Sequence, residues 1–281
     1  MKRHAKSITR LAAVSDIHGN LPALEAVLAE ISRENVDLIV NLGDIVSGPL
    51  WPVETAEHLM AMQLPTLRGN HERQLLHQPR ERMSLSDAFA AERISTAQRQ
   101  WLDALPASLQ LADDLLCCHG TPDSDLQYWL ETVTDDFRSH GSRGVRMATT
   151  DEARARLGSF AGHGASLVLC GHTHMPRTLQ IPGGPLVVNP GSVGLQAYDD
   201  GNPYTHVMEV GSPHARWALI ERSNGGWSVQ LRATAYDWDA AAERAEANGR
   251  GDWADALRSG FVGRFEDEML ANIKSSGKDH A

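Results

Sequence analysis

Two histidines one residue apart, His172 and His174, follow directly on the apolar run 166–169 in the stretch Cys170-Gly171-His172-Thr173-His174. At the end of a strand this spacing throws both imidazoles into one loop, within reach of one cluster. Imidazole is the commonest side-chain ligand for transition metals. Four earlier stretches end the same way, each an apolar run followed by Asp, His or Asn: Asp16-Ile17-His18, Gly43-Asp44, Gly69-Asn70-His71-Glu72 and His119-Gly120. The groups collected are Asp16, His18, Asp44, Asn70, His71, His119, His172 and His174. His71 aside, two carboxylates, one amide oxygen and four imidazoles exceed what one tetrahedral ion needs, so a pair of metal ions is the economical reading. Asp44 is the natural bridge, because its two oxygens reduce repulsion between cations. Two such ions about 3.5–4 Å apart can hold a hydroxide between them and polarise a phosphoryl oxygen, which is the chemistry of phosphoester hydrolysis.

The elements that must position these groups read as a parallel α/β pattern. Residues 8–15 form an apolar run that fits a buried strand. A helix follows, with Asn20 as cap, Pro22 in its first turn, and Leu21, Leu24, Val27, Leu28 and Ile31 on one apolar face. Residues 36–42 predict a second strand, 53–63 a second helix and 64–67 a short third strand. This order implies parallel strands joined by right-handed crossovers, whose carboxyl ends share one edge where ligands bind. Residues 79–108 have a helical face of Ile94, Trp101, Leu102 and Leu105. A hairpin around Ala112-Asp113-Asp114 leads to His119, and the polar stretch 123–163 reads as helical. From 178 to 234 short alternating runs separated by turn signals predict antiparallel sheet, and from Trp238 onward the chain reads as helix. There is no internal repeat. The expected organisation is a single domain over 8–260 with helical insertions at about 79–108 and 123–163, then a C-terminal helix and tail over 261–281.

The bulk numbers narrow the class. A chain of 281 residues with 42% hydrophobic and 22% charged residues is an ordinary globular composition. A formal charge of -10 argues against a sequence-independent grip on nucleic acid. No run of about 18 apolar residues marks a membrane span, and no apolar core follows the basic N-terminus as in a signal peptide. Three cysteines, two of them adjacent, make no disulfide framework. A cytoplasmic location is the expectation.

The five motifs, in this order, resemble the signature of the calcineurin-like metallophosphoesterase superfamily. His119-Gly120-Thr121-Pro122, Asn189-Pro190-Gly191-Ser192-Val193-Gly194 and Tyr236-Asp237 before an Ala-rich helix are similar to the bacterial and archaeal YfcE-like phosphodiesterases. The resemblance runs from about Leu11 to about Gly260, with 123–163 least matched. It implies an α/β fold of four layers (αββα), two packed mixed β-sheets flanked by helices, with a helical cap insertion. It also implies that Asp16, His18, Asp44 and His174 hold one divalent metal ion and that Asp44, Asn70, His119 and His172 hold the other. His71 would not ligate but would face the substrate phosphate and protonate the leaving oxygen, while a metal-bridging hydroxide attacks phosphorus. The implied activity is hydrolysis of phosphodiesters or nucleotide phosphoanhydrides. The alternatives are a phosphomonoesterase, protein phosphatases included, or a catalytically silent nucleotide- or partner-binding protein of the same fold. The metals could be Mn, Fe, Ni, Co or Zn. The partners expected are a small phosphorylated or nucleotide substrate, no membrane, and a second copy of the chain in a homodimer on base rates.

One departure from the superfamily stands out. Its phosphoprotein phosphatases carry Gly-Asp-x-Val-Asp-Arg-Gly, in which the second Asp orients the histidine and the Arg grips phosphate. Here the stretch is Gly43-Asp44-Ile45-Val46-Ser47-Gly48-Pro49, so His71 has no carboxylate partner in that loop. Other residues carry two readings each. Cys170 is a buried strand residue or a ligand. The arginines from Arg138 to Arg156 form a solvated surface or close over an anion. Tyr128 and Trp129 anchor the cap or stack on a base.

Overall fold

The computed structural model describes residues 8–270. Every residue from Leu11 to Val14 is fully buried, so the first strand, β1 (Arg10–Val14), is covered on both faces. Helix α1 (Leu21–Ile31) follows, its first turn closed by the Asn20 side chain accepting the Ala23 N–H. Then come β2 (Leu38–Asn41), α2 (Pro52–Met62), α3 (Asn70–His77), α4 (Leu85–Ala91) and α5 (Thr96–Asp103). A hairpin, β3 (Ser108–Ala112) and β4 (Leu115–Cys118), leads to a second small hairpin, β5 (Glu131–Val133) and β6 (Val145–Met147), and to α6 (Thr150–Ala155). The rest comprises β7 (Leu167–Leu169), β8 (Arg177–Gln180), β9 (Leu186–Asn189), β10 (Ala197–Asp200), β11 (His206–Glu209), β12 (Ala215–Ser223) and β13 (Gly226–Thr234). Helices α7 (Trp238–Ala247) and α8 (Gly251–Ser259) come last.

Two mixed sheets result. One has the order β13-β12-β1-β2 with β1 and β2 parallel; the other runs β3-β4-β7-β9-β8 with β4, β7 and β9 parallel. Strand alternation sorts their side chains into layers. Leu11, Ala13, Val40 and Leu42 meet Leu115, Cys117, Leu167, Leu169 and Val188 between the sheets. Ala12 and Val14, on the opposite face of β1, pack under α1, α2 and α5 through Leu24, Val27, Leu59 and Leu102. Leu116, Val168 and Val187, on the far face of the second sheet, are covered by Trp129, Leu130 and Ala153. The fold is thus α/β, with two mixed sheets flanked by helical segments as the resemblance implied.

Two expected elements differ. The strand at 64–67 is reduced to a single parallel bridge between Asn41 and Thr66, since Pro65 has no N–H to extend a ladder. The stretch 123–163 is not mainly helical. It holds the β5–β6 hairpin, the six-residue α6 and much irregular chain, with glycines at 141 and 144 and left-handed backbone at Arg138 and His140 breaking any helical run. The expected tail beyond residue 270 lies outside the described residues. No helix among the described residues is long and apolar enough to cross a membrane.

Candidate metal centre

The parallel strands of both sheets open at the same edge of the sandwich. Asp16 and His18 follow β1, Asp44 follows β2, His119 follows β4, and His172 and His174 follow β7. Asn70 and His71 are the first residues of α3. Five of these residues, Asp16, His18, Asp44, His172 and His174, have left-handed backbone. Asp and His tolerate that region better than most residues, but such a concentration is a cost that a packed surround must hold. The surround does so at very short range. A Cβ on Gly69 would lie 2.1 Å from Asp44 Oδ1, and one on Gly171 2.0 Å from Ser15 Oγ. From the other side Asn189 Nδ2 donates to the Gly171 carbonyl (2.8 Å) and to Thr173 Oγ1 (3.0 Å), and Ser192 Oγ donates to the Asp16 carbonyl (2.7 Å).

The donors fall into two groups. Asp16, His18 and His174 form one, and Asp44, His119 and His172 the other, with the ligand atoms within each group lying within 4.8 Å of one another. Asn70 Oδ1 joins the second group, 3.1 Å from His119 Nε2, which is itself 3.0 Å from Asp44 Oδ2. The two groups are adjacent, as His119 Nε2 is also 3.9 Å from Asp16 Oδ1. Asp16 and Asp44 are at most 1% exposed. All seven sequence-expected donors therefore converge, and His71 stands beside them, its ring 5.3 Å from that of His18.

Each imidazole has one nitrogen committed to a backbone carbonyl. His18 Nδ1 meets Ser47 O (2.7 Å), His119 Nδ1 meets Leu42 O (2.7 Å), His174 Nδ1 meets Leu195 O (2.6 Å), and His172 Nε2 meets Leu126 O (3.1 Å). A nitrogen facing a carbonyl must carry the proton, so the other nitrogen is the one that can turn a lone pair toward the cluster, as it does in the neutral rings of His18, His172 and His174. His18 Nε2 and His174 Nε2 then face each other at 3.1 Å. Two lone pairs at that distance repel unless something positive lies against both. This contact, beside two buried carboxylates, is where the residues present fit divalent cations.

The electrostatics agree. Burial pushes His18 down to about 4 and His172 down to about 3, and it holds His174 well below its ordinary value, which leaves these rings neutral as a ligand must be. Burial also lifts Asp16 to about 7, with Asp44 adding to it and His119 opposing. Burial would raise Asp44 and lower His119, but their contact overrides it. Asp44 sits well below the carboxylate range and His119 rises to about 9.

Two residues acquire roles that sequence reasoning did not assign. Glu72, fully buried, accepts the N–H groups of Asp44 (2.9 Å), Ile45 (2.7 Å) and Gly69 (2.8 Å), tying the Asp44 loop to the start of α3. Glu72→Gln puts an amide NH₂ against at least one of these donors. A hydrogen bond to a charged acceptor contributes about 1.5–3 kcal/mol, so urea unfolding is expected to show a loss of about 2 kcal/mol. The second residue is Asp87. Its carboxylate lies 2.8 Å from His71 Nδ1, is 1% exposed, and comes from α4 in the insertion. His71 does have a carboxylate partner, then, but from 16 residues along the chain rather than from the Asp44 loop. Burial would lower His71, yet Asp87 first and Asp44 next hold it up at about 10. Only the helix-start pattern Ser84-x-x-Asp87 marks this residue locally, and that reads as an ordinary cap.

The cluster forms the floor of a cleft of about 1080 Å³ that also takes in Arg82, Tyr128, Glu131, Tyr198 and Trp253. Tyr128 is largely buried, its hydroxyl bonded to Tyr198 (2.7 Å) and His206 (2.9 Å), and Trp129 is a core anchor donating to the Ala153 carbonyl. Cys170 belongs to the outer core and not to the donor set. Of the arginines from 138 to 156 only Arg156 lines the cleft, and its guanidinium is engaged by the Trp129 and Glu131 carbonyls and Thr132 Oγ1.

The profile of the calcineurin-like phosphoesterase family matches residues 9–176, which contain every donor described above. The chain belongs to that family. A relative from Methanocaldococcus jannaschii, an uncharacterised protein, is 23% identical over 260 residues, covering 86% of this chain and 94% of its own. Among solved structures, a metallophosphoesterase from Sphaerobacter thermophilus is 23% identical with a TM-score of 0.65, covering 90% of this chain and 100% of its own. A hypothetical protein from Pyrococcus horikoshii is 18% identical with a TM-score of 0.67, covering 90% and 99%. Both share the fold. In this family member the matched region ends before β8, so the cleft wall formed by β10 and α8 lies outside it.

Proposed function

We propose that this protein is a dinuclear-metal phosphoesterase acting on phosphodiesters or nucleotide phosphoanhydrides. The observation that carries the reading is the pair of adjacent three-donor groups, with His18 and His174 lone pairs opposed at 3.1 Å, on the floor of an open cleft. Asp16, His18 and His174 would hold one cation and Asp44, Asn70, His119 and His172 the other, with Asp44 shared. When bound, the cations would lower the pKa of water and polarise a phosphoryl oxygen. The chain's own residues do the remaining work. The four carbonyls on the imidazoles fix ring orientation before substrate arrives, so little reorganisation is left for the reaction itself. Glu72 holds the Asp44 backbone in place, and Gly69, lacking a side chain, leaves room for the Asp44 carboxylate. His71, oriented by Asp87, offers Nε2 to the substrate.

Mixed oxygen and imidazole donors suit Mn²⁺, Fe²⁺, Ni²⁺, Co²⁺ or Zn²⁺. A reducing, cytoplasmic setting is part of the proposal, supported by three buried and unpaired thiols. The purified protein supplied in turn with each of these ions is expected to hydrolyse bis-p-nitrophenyl phosphate or p-nitrophenyl phosphate and to retain close to two equivalents of metal. Retention of less than one equivalent with no turnover would instead mark a silent binding protein of the same fold.

A further inference from the structure

We propose that Arg73 and Asp125 are a positioning pair that sets how tightly the second cation site, Asn70, His119 and His172 with the shared Asp44, holds its ion. The first site stands apart from them. The inference rests on the dinuclear reading and deepens it. Its basis is a turn that engages each unshared donor of the second site by a different route.

The turn follows β4. Thr121 donates its N–H to the Ser124 carbonyl (2.7 Å) and accepts the Ser124 N–H in return (3.2 Å), while Ser124 Oγ accepts the Leu126 and Gln127 N–H groups, each at 3.2 Å. A Cβ on Gly120 would lie 2.6 Å from the Ser124 carbonyl oxygen and 2.8 Å from that of Gln127, so the turn closes directly onto the residue after His119. The Leu126 carbonyl meets His172 Nε2 at 3.1 Å. Of the four donor rings, His172 alone is not fully buried, and it alone is held through Nε2, which leaves Nδ1 for an ion. Asn70 is reached through α3. Arg73 stands three residues after Asn70 on the same helix face. Its guanidinium grips Asp125 with two parallel bonds, Nε to Oδ2 at 2.6 Å and Nη2 to Oδ1 at 2.8 Å. The Asn70 amide is turned by Gln74, which accepts Nδ2 at 3.4 Å, so that Oδ1 faces His119 Nε2. Arg73 and Asp125 thus tie the helix that carries Asn70 to the turn that fixes the other two donors.

The first site is braced by other segments. Ser192 Oγ and the Gly194 N–H both donate to the Asp16 carbonyl, Leu195 O aims His174, and Ser47 O aims His18. The Arg73 and Asp125 side chains are also 36% and 26% exposed. An ion pair so open to solvent adds little to global stability, but a two-bond guanidinium–carboxylate grip still fixes geometry. Its effect is therefore local. Without it α3 and the turn can part, and the donors they carry lose alignment. Outer partners that orient metal ligands change metal affinity by about 10–100-fold when removed.

The test is Mn²⁺ binding to the chelator-stripped, full-length protein, read from the electron paramagnetic resonance signal of free Mn²⁺. Wild type is expected to bind two equivalents. Arg73→Ala and Asp125→Ala are each expected to weaken one equivalent by about tenfold or more and to leave the other within about twofold. The melting temperature of the metal-free protein is expected to move by under about 3 °C. The exchanged pair, Arg73→Asp with Asp125→Arg, is expected to recover most of the lost affinity. Two backgrounds identify the site. With His174→Ala, which strips a donor from the first site, Asp125→Ala is expected to weaken the remaining equivalent; with Asn70→Ala it is expected to leave the remaining equivalent unchanged. Equal weakening of both equivalents, weakening of neither, no recovery in the exchanged pair, or the reverse pattern in the two backgrounds overturns the proposal while the dinuclear reading stands. Wild type that binds fewer than two equivalents removes both. Should a donor variant not fold, the single variants decide by whether one equivalent shifts or both do.

Discussion

Asp44→Asn is expected to reduce kcat/KM on the order of a thousandfold or more, while the protein still folds. The carboxylate is engaged on both oxygens: Oδ1 accepts the His71 N–H at 3.0 Å, and Oδ2 faces His119 Nε2 at 3.0 Å. An amide keeps one neutral oxygen and turns an NH₂ toward either His119 or the place a cation would occupy, so it can neither bridge nor neutralise. Folding is expected to survive because in the cation-free protein Asp44 is a buried anion close to Asp16, and losing it relieves that repulsion even as the contact with His119 is lost. Metal content, measured on the same preparation as the melting temperature and turnover, checks the prediction. A variant that keeps two equivalents of metal and wild-type turnover would show that Asp44 does not bridge the cations. His119→Ala, which strips a donor from the second group, is expected to act in the same direction.

Chelation is expected to abolish activity and to lower stability by about 4 kcal/mol for each ion that had been present at a thousand times its dissociation constant. It should also expose a pH dependence whose sign follows from the cluster. In the cation-free fold His119 titrates at about 9 and His71 at about 10, both above the ordinary histidine value of 6.5. A raised basic group contributes stability that is complete below its unfolded pKa and lost as pH rises through its folded pKa. Stability of the chelated protein should therefore fall between about pH 6.5 and 10. A cation competes with the proton for His119 Nε2, so adding metal should remove the His119 share of that slope while leaving the share that Asp87 lends to His71. Urea titrations across this range, with and without Mn²⁺, would show it. Identical slopes in the two series would mean that His119 is not a ligand.

How much of this site can be read in the sequence differs from residue to residue. The strand-end donors are legible because they are chemically specialised side chains at short fixed offsets from apolar runs, and a donor cannot be exchanged for another residue type without losing its lone pair. Helix α1 is legible from its cap and its single apolar face, and the β3–β4 hairpin from its polar turn between apolar runs. The third strand misleads because Pro65 is apolar yet cannot donate. The stretch 123–163 misleads because polar composition does not separate a helix from a hairpin held by distant contacts.

What is hidden has a common physical cause. The groups that orient the four imidazoles are the carbonyls of Ser47, Leu42, Leu126 and Leu195, and a carbonyl has no residue identity to recognise. Asp87 sits in an ordinary helix start, and its pairing with His71 exists only once α4 packs beside α3. Asp199 of β10 likewise meets Glu266, whose N–H it accepts, only because the chain after α8 packs back beside that strand. The amino-acid sequence by itself determined which atoms could bind metal and at which edge of the sheets they would lie, because side-chain chemistry and strand periodicity are local properties. The tertiary structure alone decided how those atoms are aimed and what faces them across the cleft, because orientation and electrostatic surroundings depend on contacts between segments far apart along the chain.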